Sequence, residues 1–240
     1  KLKMKKLLLV FVIGMFSMNM MNAQELWFDA GIKGSWGPTF LLNENLVNDA
    51  NYSQQISNGY SFGGKFGFNF GYIHGITLDA MYSQNKQFYN IKEGFSDVED
   101  LTVDWKSIDL YVLYRLYRTI NYFEVGPKFS LMNIVRNNNI ETTQFYVENY
   151  PSAVIGFGWY VFGKEAFTAT AGIRVEYALT DVISADGKAA GYPANPVRVT
   201  AFDPYETTNP LSAQLVFEIN WGIGYFAKTA CAGRKHFFSF

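Results

Sequence analysis

The chain has 240 residues, 18% aromatic and 17% charged, with 20 Lys and Arg against 21 Asp and Glu, and one cysteine. Four of the cations, Lys1, Lys3, Lys5 and Lys6, fall in the first 23 residues, which hold no acid; taking them from 20 leaves 16 basic against 21 acidic residues. That balance, near −5, argues against a nucleic-acid surface, and the single Cys231 excludes an internal disulfide.

Residues 1–23 read as a secretory signal peptide, with lysines ahead of the apolar run Leu7 to Phe16 and Ala23 closing the segment before Gln24. Met21 stands at the minus-three position, where a small residue is usual. The apolar run is shorter than the roughly 20 residues of a spanning helix, and no later stretch approaches one. If the remaining chain, 24–240, crosses a membrane it does so as a closed barrel, the other structure that satisfies its own backbone hydrogen bonds in lipid. Cys231 lies far from the leader, so it is no lipoprotein anchor.

Eight segments alternate with a period of two, which sends successive strand side chains to opposite faces. In the first, Trp27 to Pro38, Phe28, Ala30, Ile32, Gly34 and Trp36 oppose Asp29, Gly31, Lys33 and Ser35. The second, Tyr60 to Tyr72, carries aromatics at nearly every position of one face and Ser61, Gly63, Lys65, Gly67, Asn69 and Gly71 on the other. Its twelve steps span about 40 Å along the strand, or roughly 30 Å across a bilayer once tilted. The third sets Ile76, Leu78, Ala80 and Tyr82 against Thr77, Asp79, Met81 and Ser83; the fourth sets Ile108 to Leu116 against Ser107, Asp109, Tyr111, Leu113 and Arg115.

In the fifth, Phe123, Val125, Pro127, Phe129 and Leu131 oppose Glu124, Gly126, Lys128 and Ser130, although a proline inside a strand forfeits a ladder bond. The sixth runs from Val154 to Val161. The seventh sets Phe167 to Tyr177 against Thr168, Thr170, Gly172, Arg174 and Glu176, and the eighth sets Leu211 to Tyr225 against Ser212, Gln214, Glu218 and Asn220. Short links near Ile73–Gly75, Tyr117–Asn121 and Gly163–Ala166 alternate with long polar loops, 41–58, 86–104, 133–150 and 181–209. Short turns at one end and long loops at the other are the outer-membrane barrel pattern, and an even strand count puts both termini on the periplasmic side. The expectation is therefore an all-β, eight-stranded antiparallel up-and-down transmembrane barrel over 24–240, with a short tail at 228–240.

A soluble lipocalin-like barrel has the same alternation with its oily side inward. Here the apolar face is crowded with Phe, Tyr and Trp, too bulky for a narrow interior, while the other face carries Gly, Ser and Thr. That polar face also holds charges of both signs: Asp29, Asp79, Asp109, Glu124, Glu176 and Glu218 against Lys33, Lys65, Arg115, Lys128 and Arg174. Enclosed, they must pair. A static plug is favoured over a gated pathway, because eight strands enclose only enough room for their own side chains.

No catalytic constellation can be assembled. His74 sits in a turn and His236 in the tail, neither with partners at motif spacing, and Cys231 with His236 supplies too few ligands for zinc. No cofactor or metal is expected. The glycines of GGKFGFNFG recur inside a strand, where they relieve crowding; they are not a phosphate loop.

The stretches FDAGIKGSW, LDAMYSQNKQ, SIDLYVLYRLY, FEVGPKFS, AVIGFGWYVFG and IRVEYALTDV, taken in order, resemble the PorT-like outer-membrane β-barrel proteins of Bacteroidetes. The resemblance implies an eight-stranded barrel in the outer membrane, often without assigned activity; the name-giving member is associated with type IX secretion. The tail KTACAGRKHFFSF departs from the usual ending at the last strand. The expected function is a structural or interaction protein in contact with outer-membrane lipid and other outer-membrane or periplasmic proteins. An accessory of a secretion or surface-assembly machine is the alternative, and a lipid-modifying enzyme the third.

Overall fold

Strict alternation leaves each strand with one face to bury and one to expose, and the computed structural model meets that demand by closing the sheet on itself. It describes residues 26–71, 73–96, 98–164 and 167–223; the leader 1–23, Tyr72, Cys231, His236 and the tail 228–240 lie outside them. The strands are β1 (Leu26–Leu42), β2 (Tyr52–Gln55), β3 (Ser57–Phe70), β4 (His74–Ile91), β5 (Asp100–Tyr117), β6 (Asn121–Asn137), β7 (Ile140–Glu141), β8 (Asn149–Lys164), β9 (Phe167–Ala178) and β10 (Asn209–Ile223). Eight are long. β2 continues β3 along β4 past Ile56, and β7 is a hairpin tip on β6.

Each long strand pairs antiparallel with its neighbour in sequence, and β10 pairs with β1 to close the barrel. Following the register around the wall from Leu26 gives Phe70, His74, Leu116, Phe123, Phe157, Ile173, Leu215 and finally Trp36. The circuit returns from position 26 to position 36, a stagger of ten residues. Eight strands with that stagger tilt by about 40°. Pro127 is accommodated in β6: the β5 register stops at Tyr111↔Lys128 and resumes at Tyr114↔Val125, so the absent N–H falls in a gap.

The polarity of the alternation inverts partway along β5. On β5 the inward positions are Leu101, Val103 and Trp105, then Ser107, Asp109 and Arg115; the outward ones are Asp100, Thr102, Asp104 and Lys106, then Ile108, Leu110, Val112 and Tyr114. On β5 the wall is oily outside and charged inside below Lys106, and above it the reverse. The outward apolar run from Ile108 to Leu116 covers about 20 Å of height at this tilt, close to the ~25 Å band of outer-membrane barrels.

Three of the expected long loops are therefore too long, because the strand template assumed a single polarity throughout. β4 and β5 continue across most of 86–104, and β6 reaches Asn137. The 41–58 segment holds α1 (Glu44–Val47), whose first turn is capped by Asn43 Oδ1 accepting from Leu46 N–H at 3.2 Å, and β2. Only the last connection, 179–208, keeps its expected length. It carries α2 (Ala185–Ala189) and folds over the mouth as a lid.

The lid and the rim share an apolar core. Leu41, Tyr89, Leu101, Val103, Trp105 and Val135 from the upper strands meet Val182, Ile183, Tyr192 and Ala194 from the lid, all buried. Asn137 donates to the Pro193 and Asn195 carbonyls at 3.1 and 2.9 Å, tying lid to wall. Opposite-facing chemistry thus stacks two storeys in one barrel, a polar lumen below and an oily core above.

Candidate functional site

Alternation alone aims the lumen side chains inward; closure decides which of them meet. Arg174 from β9 reaches Asp79 on β4 at 3.4 Å and Glu124 on β6 at 2.7 Å. Arg115 from β5 reaches that same Glu124 at 2.7 Å, and its Nη1 donates to Glu218 Oε2 at 2.9 Å. Lys33 closes the circuit, 2.9 Å from Glu218 and 2.5 Å from Asp79. Three cations and three carboxylates thus alternate around one unbroken cycle. Lys65 hangs from it, 3.5 Å from Glu218 and 2.8 Å from Asp29, and Asp29 also accepts from Asn69 at 2.6 Å.

Two of these contacts are diameters. In the order β1, β3, β4, β5, β6, β8, β9, β10, the strands of Arg115 and Glu218 are four apart in either direction, as are those of Arg174 and Asp79. The cycle accordingly fills the cross-section instead of lining it. Glycines make room for the carboxylates: a Cβ at Gly156 would stand 2.7 Å from Glu124 Oε1, and one at Gly67 would stand 2.6 Å from Asp29 Oδ2.

A second tier lies nearer the loops. Lys128 is 2.6 Å from Glu176 and 3.6 Å from Asp109. Glu176 also accepts from Tyr111 Oη at 2.9 Å, and Asp109 from Ser83 and Ser107 at 2.6 and 2.8 Å. One lysine thus serves two carboxylates, with hydroxyls completing the shell. Arg174 lies 4.8 Å from the Tyr111 ring centroid and joins the tiers. The sparsely polar β5 face is explained by Leu113, which packs with Met81 and Val154 in an apolar patch inside the lumen.

Both ends are sealed by residues that alternation did not single out. At the turn end Tyr117, Tyr122 and Tyr160 are buried together, with the Arg115 guanidinium 4.3 Å above the Tyr122 ring. At the loop end stands the lid core. The sequence signal for it was the polarity inversion along β5, where Leu101, Val103 and Trp105 face inward. A residual cavity lined by Thr39, Asn85, Trp105, Lys128, Glu176 and Ser212 is about the size of one water molecule, too small for an organic ligand. His74 opens β4 and is not in a turn; its Nδ1 is 2.5 Å from Tyr114 Oη on the outer face.

Fold and lining together define a small closed β-barrel of the membrane type, oily outside and charged within. No protein-family model matches the chain, and no curated protein matches it. Among solved structures it is similar to the outer membrane protein OprG from Pseudomonas aeruginosa, at 13% identity over 84% of this chain and 96% of that chain, with a TM-score of 0.42. It is also similar to Ail, the attachment invasion locus protein of Yersinia pestis, at 11% identity over 81% and 99%, with a TM-score of 0.39. A third similar structure is the translocator domain of the autotransporter NalP from Neisseria meningitidis, at 11% over 90% and 95%, with a TM-score of 0.33. The barrel itself is established by its own registers, which carry β10 back onto β1.

Proposed function

We propose that this protein is a bacterial outer-membrane barrel with a non-conducting lumen, a structural or interaction protein that presents its lid and upper wall to the exterior. The observation that carries the reading is the ion-pair cycle spanning the diameter at the level of an outward apolar belt. Charges enclosed there are retained only when mutually neutralised. β1 starts and β10 ends at the short-turn end, which this reading places in the periplasm. The role is structural and not catalytic.

Reconstitution in planar bilayers tests it. The folded barrel is expected to give no steady conductance at neutral pH; ohmic channels from the purified monomer would refute the filled lumen. The six stretches that resemble PorT-like barrels support a second reading, an accessory of a type IX secretion or surface-assembly machine. Purification in mild detergent separates the two: a stoichiometric partner favours the machine, and a lone monomer the free barrel.

A further inference from the structure

On the tall wall formed by β4, β5 and β6 the outward face turns from apolar to cationic within a few residues. Going toward the loops, Ile108 is followed by Lys106, Tyr82 by Gln84 and Lys86, and Leu131 by Ile134 and Arg136. The registers gather these side chains into two adjoining rows. Gln84, Lys106 and Ile134 form the row beside the belt, and Lys86, Asp104 and Arg136 the row above it.

Each cation of the upper row has a carboxylate beside it. Lys86 reaches Asp104 at 3.3 Å, and Glu141 on β7 stands opposite Arg136. Lys106, nearest the belt, has Gln84 and Ile134 as its cross-strand neighbours and no carboxylate in its row. Arg136, exposed, is its diagonal neighbour, a placement about 7–8 Å away and somewhat less between Cβ atoms. Two long cationic side chains at that spacing can close on one phosphate. Elsewhere among the described residues the outward strand positions at this height, Pro38 and Phe40 on β1, Asn58 on β3 and Asn149 on β8, carry no cation, so the cationic sector is confined to this wall.

Cations at the upper edge of an apolar belt lie where lipid headgroups lie. We propose that Lys106 and Arg136, flanked by Lys86, bind the phosphate of an anionic lipid headgroup in the leaflet on the loop side. The acyl chains would lie along Ile108, Leu110 and Leu131 just below. This rests on the membrane reading above.

Native mass spectrometry of the full barrel in neutral detergent tests it, with bisphosphorylated lipid A and its dephosphorylated counterpart as probes. Lipid A is expected to be retained, and the Lys106→Gln, Arg136→Gln double variant should lose about tenfold of that retention. Arg118→Gln, at the turn end, should lose none. Equal retention of the dephosphorylated probe, or full retention by the double variant, overturns the proposal. Insertion into phosphatidylcholine vesicles keeps the two readings apart. A barrel that fails to insert overturns both, whereas one that inserts but ignores the phosphate overturns this one alone. Both substitutions sit on the outer surface, and heat-modifiable migration verifies that the variants fold.

Discussion

Tyr192 lies flat on Phe145, ring centroids 4.6 Å apart and planes within 17°, with Tyr146 edge-on at 5.9 Å. One ring belongs to the lid, the other to a short turn on the rim. The lid is thus held by a buried aromatic stack in addition to the two hydrogen bonds from Asn137. Tyr192→Ala should weaken this docking by about 3–5 kcal/mol. Limited proteolysis in detergent should then cut within 179–208 while the barrel keeps its heat-modifiable migration. A lid as resistant as in the parent would show that the stack does not hold it.

Glu218 is shared by Arg115, Lys33 and Lys65. Glu218→Ala leaves three buried cations short of one carboxylate and should destabilise the barrel by about 3–5 kcal/mol. The double replacement Arg115→Met, Glu218→Leu should lose less than the two single changes added together, since neither charge is then orphaned. Reversible urea unfolding in lipid vesicles measures both; additive losses would mean that the pair is not coupled.

The inversion of polarity along β5 makes opposite forecasts for the same substitution on one strand. Val112 faces outward within the belt, 44% exposed, and Val112→Arg should cost about 2–4 kcal/mol. Thr102 also faces outward, but above the belt, and Thr102→Arg should stay within about 0.5 kcal/mol of the parent. Equal losses at the two positions in vesicle unfolding would displace the belt from where the side chains put it.

Gly156 leaves space for Glu124, so Gly156→Ala should cost about 1–3 kcal/mol by pushing that carboxylate out of the cycle. Gly64 faces outward with its nearest neighbour 3.9 Å from a built Cβ. Gly64→Ala should be neutral or stabilise by up to about 1 kcal/mol, because alanine has less backbone freedom to lose. The same unfolding assay ranks the two, and a larger loss at Gly64 would contradict the packing.

Strand number, order and sidedness are legible in the sequence because period two survives along most of every strand and the phenylalanines of the long strands take the outer face. The strand ends are not, since Leu101, Val103 and Trp105 look like a break in the pattern unless water is known to lie outside at that height. The inward charges can be written down from alternation, Asp79 and Arg174 among them. That these two meet across the barrel depends on a ten-residue stagger, which no single strand encodes. Tyr192 gives no periodic signal at all, because its burial is set by how the lid folds.

Arg115 finds its carboxylates on β6 and β10, both later in the chain than β5. The first four long strands, β1, β3, β4 and β5, can match Lys33 to Asp79 and Lys65 to Asp29 among themselves, but they leave this guanidinium unanswered. The inward charges of that half sum to zero, Asp29, Asp79 and Asp109 against Lys33, Lys65 and Arg115, but Arg115 and Asp109 have their opposite charges on later strands, so half of the barrel could not rest in lipid with its charges paired. The lumen charges are therefore fully paired only once the seam closes, with the last strand delivering Glu218 to Arg115, Lys33 and Lys65.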